Sequence, residues 1–408
     1  METLSGGPEH VLVVGAGLGG IRTVEQLRQA GYEGRISLVG AEVHPPYDRP
    51  PLSKQLLAGA WEAERLALKE EAALEDLGVR MYLGLRAVAL RPGEVELADG
   101  AVLTADAIVL APGVEARRLP GQPESVHTLR TLDDAVALRD ELDKASTLLV
   151  VGAGFIGAEV ASTAIDKGVQ VTMVEAAPVP LVRGLGAEVG ALAARLIREG
   201  GVDLRTGVAL TGFVSAQGPG VAVELADGSR IEADVALVGI GGRPDLGWLA
   251  DTGLDLSDGI PCDAQGRVLG LDGVWAVGDA AAWDYPAQGG RHRHEHWTSA
   301  ADQATVVARA VTGTEAPPPT VPYFWSDQFG LKIQLIGRPD LADTILPLHG
   351  EGLSGGAVKG TVVGYLRGDR LVAVAGFGAA RYIARYRALL LNEADRAQAL
   401  EFAASLRR

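Results

Sequence analysis

Two sets of glycines, four acids and one lysine carry the chemistry legible in this 408-residue chain. The first set, Gly15-Ala-Gly17-Leu18-Gly19-Gly20, follows the apolar run Val11-Leu-Val-Val14. The second, Gly152-Ala-Gly154-Phe155-Ile156-Gly157, follows Leu148-Leu-Val-Val151. At this spacing one glycine permits a tight turn, one lets the backbone approach a pyrophosphate, and one lets a helix pack against a strand. The helix that starts there turns its free N–H groups toward the anion. Such turns also occur without a ligand, so one copy says little. Two copies with the same strand in front point to two dinucleotides, and a chain that holds two is built to pass electrons between them.

The acids separate the two copies. Glu175 stands about 20 residues after the second set, where a carboxylate grips ribose hydroxyls and disfavours a 2′-phosphate, so NADH is preferred to NADPH. The equivalent place after the first set is Gly40, followed by Ala41 and Glu42. Glu42 is expected to reach a ribose from a displaced register. Asp279 ends Gly273-Val-Trp-Ala-Val-Gly278-Asp279, read as a strand followed by a helix start. As an N-cap there it accepts hydrogen bonds from a polyol while its neighbours face a phosphate.

These residues need elements to hold them. A helix is expected over 21–30 and a strand over 35–39, followed by the proline-rich loop Pro45-Pro-Tyr-Asp-Arg49-Pro-Pro-Leu-Ser-Lys54. Its prolines lock φ and disfavour helix, so the loop is stiff and holds its polar side chains in place. Alternation suggests a small antiparallel insertion over 87–110. Leu119-Pro-Gly121 and Thr131-Leu-Asp-Asp134 mark the passage to the second nucleotide domain. There a strand over 148–151, the glycine turn, a helix and a strand over 170–174 make a compact βαβ unit. The apolar run 236–242 enters a Gly-Gly turn, and the stiff segment 315–320 opens a C-terminal domain of about 90 residues.

Bulk properties set the class. The length allows two or three domains, and 47% hydrophobic with 22% charged residues fits a soluble globular chain. No run approaches the roughly 18 apolar residues needed to cross a bilayer. Residues 1–7 lack the basic and apolar regions of a signal peptide and read as a short disordered lead, so a cytoplasmic location is expected. A net charge of −15 argues against nucleic acid and anionic membranes as partners. Cys262 is the single cysteine, which excludes an internal disulfide, a CxxC redox pair and a cysteine metal site. In Gly259-Ile-Pro-Cys262-Asp263 it reads as a small structural apolar residue, and no metal is expected.

Several longer motifs occur in order: Pro46-Tyr-Asp-Arg-Pro-Pro-Leu-Ser-Lys54, Leu129-Arg130-Thr-Leu-Asp-Asp134, the second glycine set with Glu159, Gly239-Ile240-Gly241-Gly-Arg-Pro244, Val277-Gly278-Asp279, Glu295-His296-Trp297 and Val321-Pro-Tyr-Phe-Trp325-Ser-Asp327. With them the chain resembles, nearly end to end, the FAD-dependent, NADH-using ferredoxin and rubredoxin reductases, a family also similar to apoptosis-inducing factor. The resemblance implies an α/β, glutathione-reductase-like fold of two Rossmann-type dinucleotide-binding domains plus a C-terminal α+β domain. It places FAD on 1–112 and 242–316, NADH on 113–241, and an interface domain on 317–408. It further implies Arg49 and Lys54 beside the isoalloxazine, with Lys54 near N5 and paired to Glu159 near the nicotinamide. Ala87 would meet the adenine, Arg130 the pyrophosphate, Asp279 the ribitol, Trp297 the pyrimidine edge of the flavin, and Trp325 the ring system. Ala111, Gly113, Gly278, Glu295 and His296 join the flavin set, and Arg183, Gly239, Ile240 and Gly241 the nicotinamide set. Where the family commonly has Ala-Thr-Gly this chain has Ala111-Pro112-Gly113, which removes a backbone donor and a hydroxyl and implies altered flavin-side geometry.

The implied reaction takes hydride from NADH onto FAD and passes electrons singly to a ferredoxin, which feeds a cytochrome P450 or a dioxygenase. Lys54 would stabilise the negative charge of the reduced ring, and Glu159 would hold the lysine in orientation and in its charged form. A rubredoxin acceptor, or a non-catalytic NADH/FAD redox sensor similar to apoptosis-inducing factor, stands as the alternative. A disulfide reductase or peroxidase of this fold needs a cysteine beside the flavin, and none stands near position 54. Partner docking is expected on basic residues from Arg291, Arg293, Arg338, Arg381, Arg385 and Arg387, and the chain is expected to be a monomer or weak homodimer.

Overall fold

The computed structural model describes residues 7–216, 218–285, 290–318 and 320–406. Residues 1–6 of the expected lead and Pro319 of the expected linker lie outside the described residues. The chain gathers into two compact units, one of Met1–Asp48, Glu64–Glu115 and Gly242–Thr320, the other of Arg49–Ala63, Ala116–Gly241 and Val321–Arg408.

The first unit is built on runs too short for helices, and its central ones, residues 11–14, 36–40 and 107–110, are buried at every residue, which is the pattern of parallel strands covered on both faces. Five of them form one parallel sheet in the order Val274–Ala276, Ala107–Leu110, His10–Val14, Arg35–Gly40, Val79–Leu83. The helix Leu18–Gln29 begins three residues before the expected 21, because Gly17 is itself the N-cap and the remaining glycines belong to the first turn. The antiparallel insertion is Ala87–Arg91, Glu94–Leu97 and Val102–Thr104. Residues 107–110, expected to belong to it, form a parallel strand of the main sheet instead; all four are buried, with no alternation to mark a half-exposed hairpin. The helix start expected at Asp279 is likewise absent. Gly278 adopts φ +79°, the Ala281 N–H donates to its carbonyl, and the chain continues as the strand Ala281–Tyr285. The helix comes later, at Trp297–Thr312.

The second unit repeats the parallel plan with four strands in the order Asp203–Thr206, Gln170–Glu175, Thr147–Val151, Val235–Val238. It also holds a five-stranded antiparallel sheet, Tyr323–Gln328, Leu331–Gly337, Arg370–Phe377, Val362–Arg367, Thr344–His349. The helix Val182–Glu199 joins the two layers. Its stripe Leu185, Val189, Leu192 and Leu196, at helical spacing, packs on Ile333, Leu335, Val363 and Phe377. Each such buried side chain contributes roughly 1.5–3 kcal/mol. Segment Arg49–Ala63 packs with this unit: Pro50–Ser53 forms a 3-10 turn, and Leu57 sits in the core with Leu148 and Val160.

Candidate functional sites in the two units

In the first unit the three glycines do three different jobs. Gly15 holds φ +117°, and a Cβ there would stand 1.9 Å from the Ala111 carbonyl oxygen. A Cβ on Gly20 would lie 1.8 Å from the Gly15 carbonyl oxygen, so the helix can seat on the turn only without one. At Gly17 an added Cβ would meet nothing within 4 Å. Protein packing does not require that glycine, while a ligand backbone drawn up to it does. The helix N-cap carries no side-chain cap, leaving its first N–H groups facing outward. This arrangement fits a dinucleotide pyrophosphate. Gly19 packs on Val277, and Gly113 and Gly278 both need positive φ, so the turns expected at the flavin are conformationally committed.

The second unit reproduces the arrangement. Gly152 holds φ +100° with its Cβ position 2.6 Å from the Gly239 carbonyl oxygen, and a Cβ on Gly157 would lie 2.3 Å from the Gly152 oxygen. Gly154 is the open one, its Cβ position meeting only the Gly239 oxygen at 3.8 Å. Glu175 ends its strand as expected, and its carboxylate accepts from the backbone N–H of Ala153 and of Ala177, both at 2.8 Å. The acid therefore braces the glycine turn from beneath. The Leu181 N–H donates to the Ala153 carbonyl, and the Arg183 guanidinium lies 3.7 Å from the Cβ position of Gly241. Gly152–Gly157, Glu175, Arg183 and Gly239–Gly241 thus come together in one place. Ile156 is 45% exposed at the first turn of the helix Phe155–Asp166, and Phe155 packs its ring on Phe324.

The same helix carries Glu159, which is 3% exposed. Its Oε2 accepts from Lys54 Nζ at 2.6 Å and from Ser53 Oγ at 2.5 Å. Its Oε1 accepts from Ser326 Oγ at 2.5 Å. Lys54 also donates to the Pro50 carbonyl at 3.0 Å, and Thr163 Oγ1 donates to the Ser53 carbonyl at 2.8 Å. The stiff proline loop is thereby pinned to the helix at two points one helical turn apart. A buried carboxylate held by one ammonium and two hydroxyls is a charged group with its desolvation offset. The pair Lys54–Glu159 is the one that the family resemblance implied. Ser53 and Ser326 were not singled out, although each lies inside a quoted motif.

Other expected residues are placed unit by unit. In the first unit, Trp297 opens the helix Trp297–Thr312 with its indole N–H on Asp48 Oδ1 at 2.8 Å, and Arg22 lies over its ring. Glu42 accepts from the Tyr47 hydroxyl at 2.5 Å, so the displaced acid is braced by the proline loop's first residues. Gly278 N–H donates to Gln303 Oε1 at 2.8 Å, and the Asp279 carbonyl accepts from Arg293 at 2.9 Å. His296 is the N-cap residue before Trp297, and Ala87 is buried at the start of its strand. Arg293 is committed to Glu295 at 2.7 Å and Asp258 at 3.4 Å, which neutralises half of the basic pair expected at 291 and 293. In the second unit, the Arg49 guanidinium donates to the Arg130 carbonyl, and Arg130 N–H is held by Asp134 through a capping box with Thr131. Trp325 stacks on Tyr323. Arg338 is tied to Asp340, while Arg381, Arg385 and Arg387 are exposed on the helix Ala380–Leu391.

Cys262 is fully buried, its thiol 3.3 Å from the Ile260 carbonyl, and burial pushes the thiol up to about 12. It is inert at neutral pH. Among the described residues no three His, Cys, Asp or Glu side chains gather to hold a metal ion, and no helix is long and apolar enough to cross a membrane.

Comparison with known proteins agrees with this geometry. Residues 9–304 match the family model for pyridine nucleotide-disulphide oxidoreductases, and residues 323–408 match that for the reductase C-terminal domain. The chain is similar to the benzene 1,2-dioxygenase system ferredoxin–NAD(+) reductase subunit of Pseudomonas putida, 39% identical over 80% of each chain. It is 34% identical to putidaredoxin reductase of the same species over 90% of this chain and 88% of that one. Among solved structures it matches the covalent putidaredoxin reductase–putidaredoxin complex with a TM-score of 0.90 at 31% identity, covering 98% of both chains.

Proposed function

This chain belongs to the pyridine nucleotide-disulphide oxidoreductase family, and we propose that within it the protein is an NADH-dependent ferredoxin reductase. Its cofactors are FAD and NADH. When bound, they supply hydride uptake from the nicotinamide and release of single electrons to a ferredoxin that feeds a monooxygenase or dioxygenase. The observation that carries the reading is Cys262. In a family whose name couples pyridine nucleotides to disulphides, the one thiol of this chain is buried and pushed up to about 12. Electrons have no thiol outlet here, which supports an external carrier as their acceptor.

In this reading residues 1–112 and 242–316 bind FAD, 113–241 bind NADH, and 317–408 form the interface domain. The two helix N-termini hold the pyrophosphates, with Gly17 and Gly154 as the close-approach glycines. Glu175 keeps the second glycine turn in shape and disfavours a 2′-phosphate. Lys54 holds a fixed positive charge where the reduced ring gains negative charge, and Glu159 keeps that lysine aimed. Arg381, Arg385 and Arg387 give an acidic ferredoxin a local basic face on a chain whose net charge is −15. A cytoplasmic setting, in reach of NADH, and a monomer or weak homodimer belong to the same proposal.

The test is NADH-driven reduction of a panel of purified 2Fe–2S ferredoxins and rubredoxins, read by cytochrome c. Rapid reduction of at least one 2Fe–2S ferredoxin is expected. Fast flavin bleaching with no turnover on any carrier would overturn the proposal in favour of a redox sensor, and turnover on rubredoxin alone would reassign the acceptor.

A further inference from the structure

The strand Tyr323–Gln328 runs along the helix Phe155–Asp166, and three matched contacts set their register. Phe324 packs on Phe155, Ser326 donates to Glu159, and Phe329 N–H donates to Ser162 Oγ at 2.8 Å. Positions 155, 159 and 162 form one face of the helix. Strand alternation puts Phe324, Ser326 and Gln328 on the face toward it. Ser326 is 0% exposed and Gln328 1% exposed. Gln328 Nε2 donates to Ser326 Oγ at 2.9 Å, while Gln328 Oε1 has no donor among the described residues.

Donor counting fixes the direction of each bond. Ser326 has one hydroxyl hydrogen, and because Gln328 donates to its oxygen, that hydrogen goes to Glu159 Oε1. Ser53 has one as well, given to Oε2 beside Lys54. Three donors converge on the carboxylate from both of its oxygens, which fixes its orientation. We propose that Ser326, backed by Gln328, is a positioning residue for hydride transfer: it locks Glu159 Oε1 so that Oε2 stays on Lys54. This rests on Lys54 and Glu159 serving hydride transfer as proposed above. The strand Tyr323–Gln328 thereby enters the chemistry through a direct contact.

The test uses the FAD-loaded enzyme and two readouts, the rate of flavin reduction by NADH in a stopped-flow instrument and the flavin midpoint potential. Ser326→Ala is expected to slow flavin reduction about tenfold, the size of one lost charge-assisted hydrogen bond, and to lower the potential, with the KM for NADH unchanged. In a Glu159→Gln background the same substitution is expected to change neither readout further, since its effect passes through Glu159. Gln328→Met removes the support together with the partnerless buried oxygen. It is expected to slow flavin reduction about threefold with a Tm no lower than that of the parent, a split that a purely structural role does not produce. Wild-type rate and potential in Ser326→Ala, or an undiminished effect in the Glu159→Gln background, overturns the proposal. Should Ser326→Ala not fold, Gln328→Met decides alone, and a wild-type rate there overturns it. If Glu159→Gln by itself leaves both readouts unchanged, the role given to Lys54 and Glu159 fails and the positioning role falls with it.

Discussion

Lys54 and Glu159 can be removed singly or together, and the two experiments have opposite expectations for stability and activity. In Lys54→Met the carboxylate stays, with its side chain 3% exposed and only two hydroxyls left to hold it. In Glu159→Leu an ammonium 13% exposed is left without its acid, and Ser53 and Ser326 lose their acceptor. Breaking one side of a buried pair costs about 3–5 kcal/mol, so each single substitution is expected to lower stability by about that amount. Lys54→Met with Glu159→Leu removes both charges, and what remains is two orphaned hydroxyls at about 1 kcal/mol each. The double variant is therefore expected to lose only about 2 kcal/mol, a coupling of several kcal/mol in the cycle. Hydride transfer should not follow that recovery. Loss of one preorganised charge at a reacting centre costs about a hundredfold or more, so all three variants are expected to stay about a hundredfold slow. Urea unfolding and stopped-flow reduction of the flavin by NADH, on the same preparations, give both numbers. A double variant that regains wild-type hydride transfer along with its stability would show the pair to be structural, and the reasoning about Lys54 would be wrong.

Other expectations follow from individual contacts. Gly17→Ala should fold with a Tm near that of the parent yet lose FAD, because its Cβ meets no protein atom, whereas Gly20→Ala should fail to fold against the Gly15 carbonyl at 1.8 Å. FAD content and circular dichroism separate the two. Glu175→Gly should raise the KM for NADH at least tenfold and narrow the preference over NADPH, since two backbone N–H bonds holding the turn are lost; equal KM values would remove the acid from the site. Arg385→Glu and Arg387→Glu should slow ferredoxin reduction about tenfold at low salt and leave ferricyanide reduction alone. Equal loss in both assays would move docking elsewhere. The Cys262 thiol, raised from 9.0 to about 12 by burial, is deprotonated in the unfolded chain first, so the stability it contributes is complete below pH 9 and fades as pH rises toward 12. Cys262→Ala should flatten that alkaline decline in Tm, and iodoacetamide should not label the folded wild type at pH 8.

The family resemblance implied the Lys54–Glu159 pair, 105 residues apart; the sequence by itself determined both glycine turns, the strand before each, Glu175 and the single cysteine. Each is a short-range constraint or a matter of count. A glycine at φ near +100°, an apolar run of strand length and an acid about 20 residues on are written in neighbouring residues, and one cysteine is one cysteine wherever it folds. The tertiary structure decided the rest. Residues 107–110 follow the insertion directly in sequence, and only pairing with His10–Val14 assigned them to the parallel sheet. Asp279 looked like an N-cap because aspartate favours that place; Gly278 turned the chain into a strand instead. Ser53 and Ser326 lie 106 and 167 residues from Glu159, and no spacing announces them. A buried carboxylate must fill its acceptor sites from whatever packs against it, and that inventory exists only once strand and loop have closed on the helix.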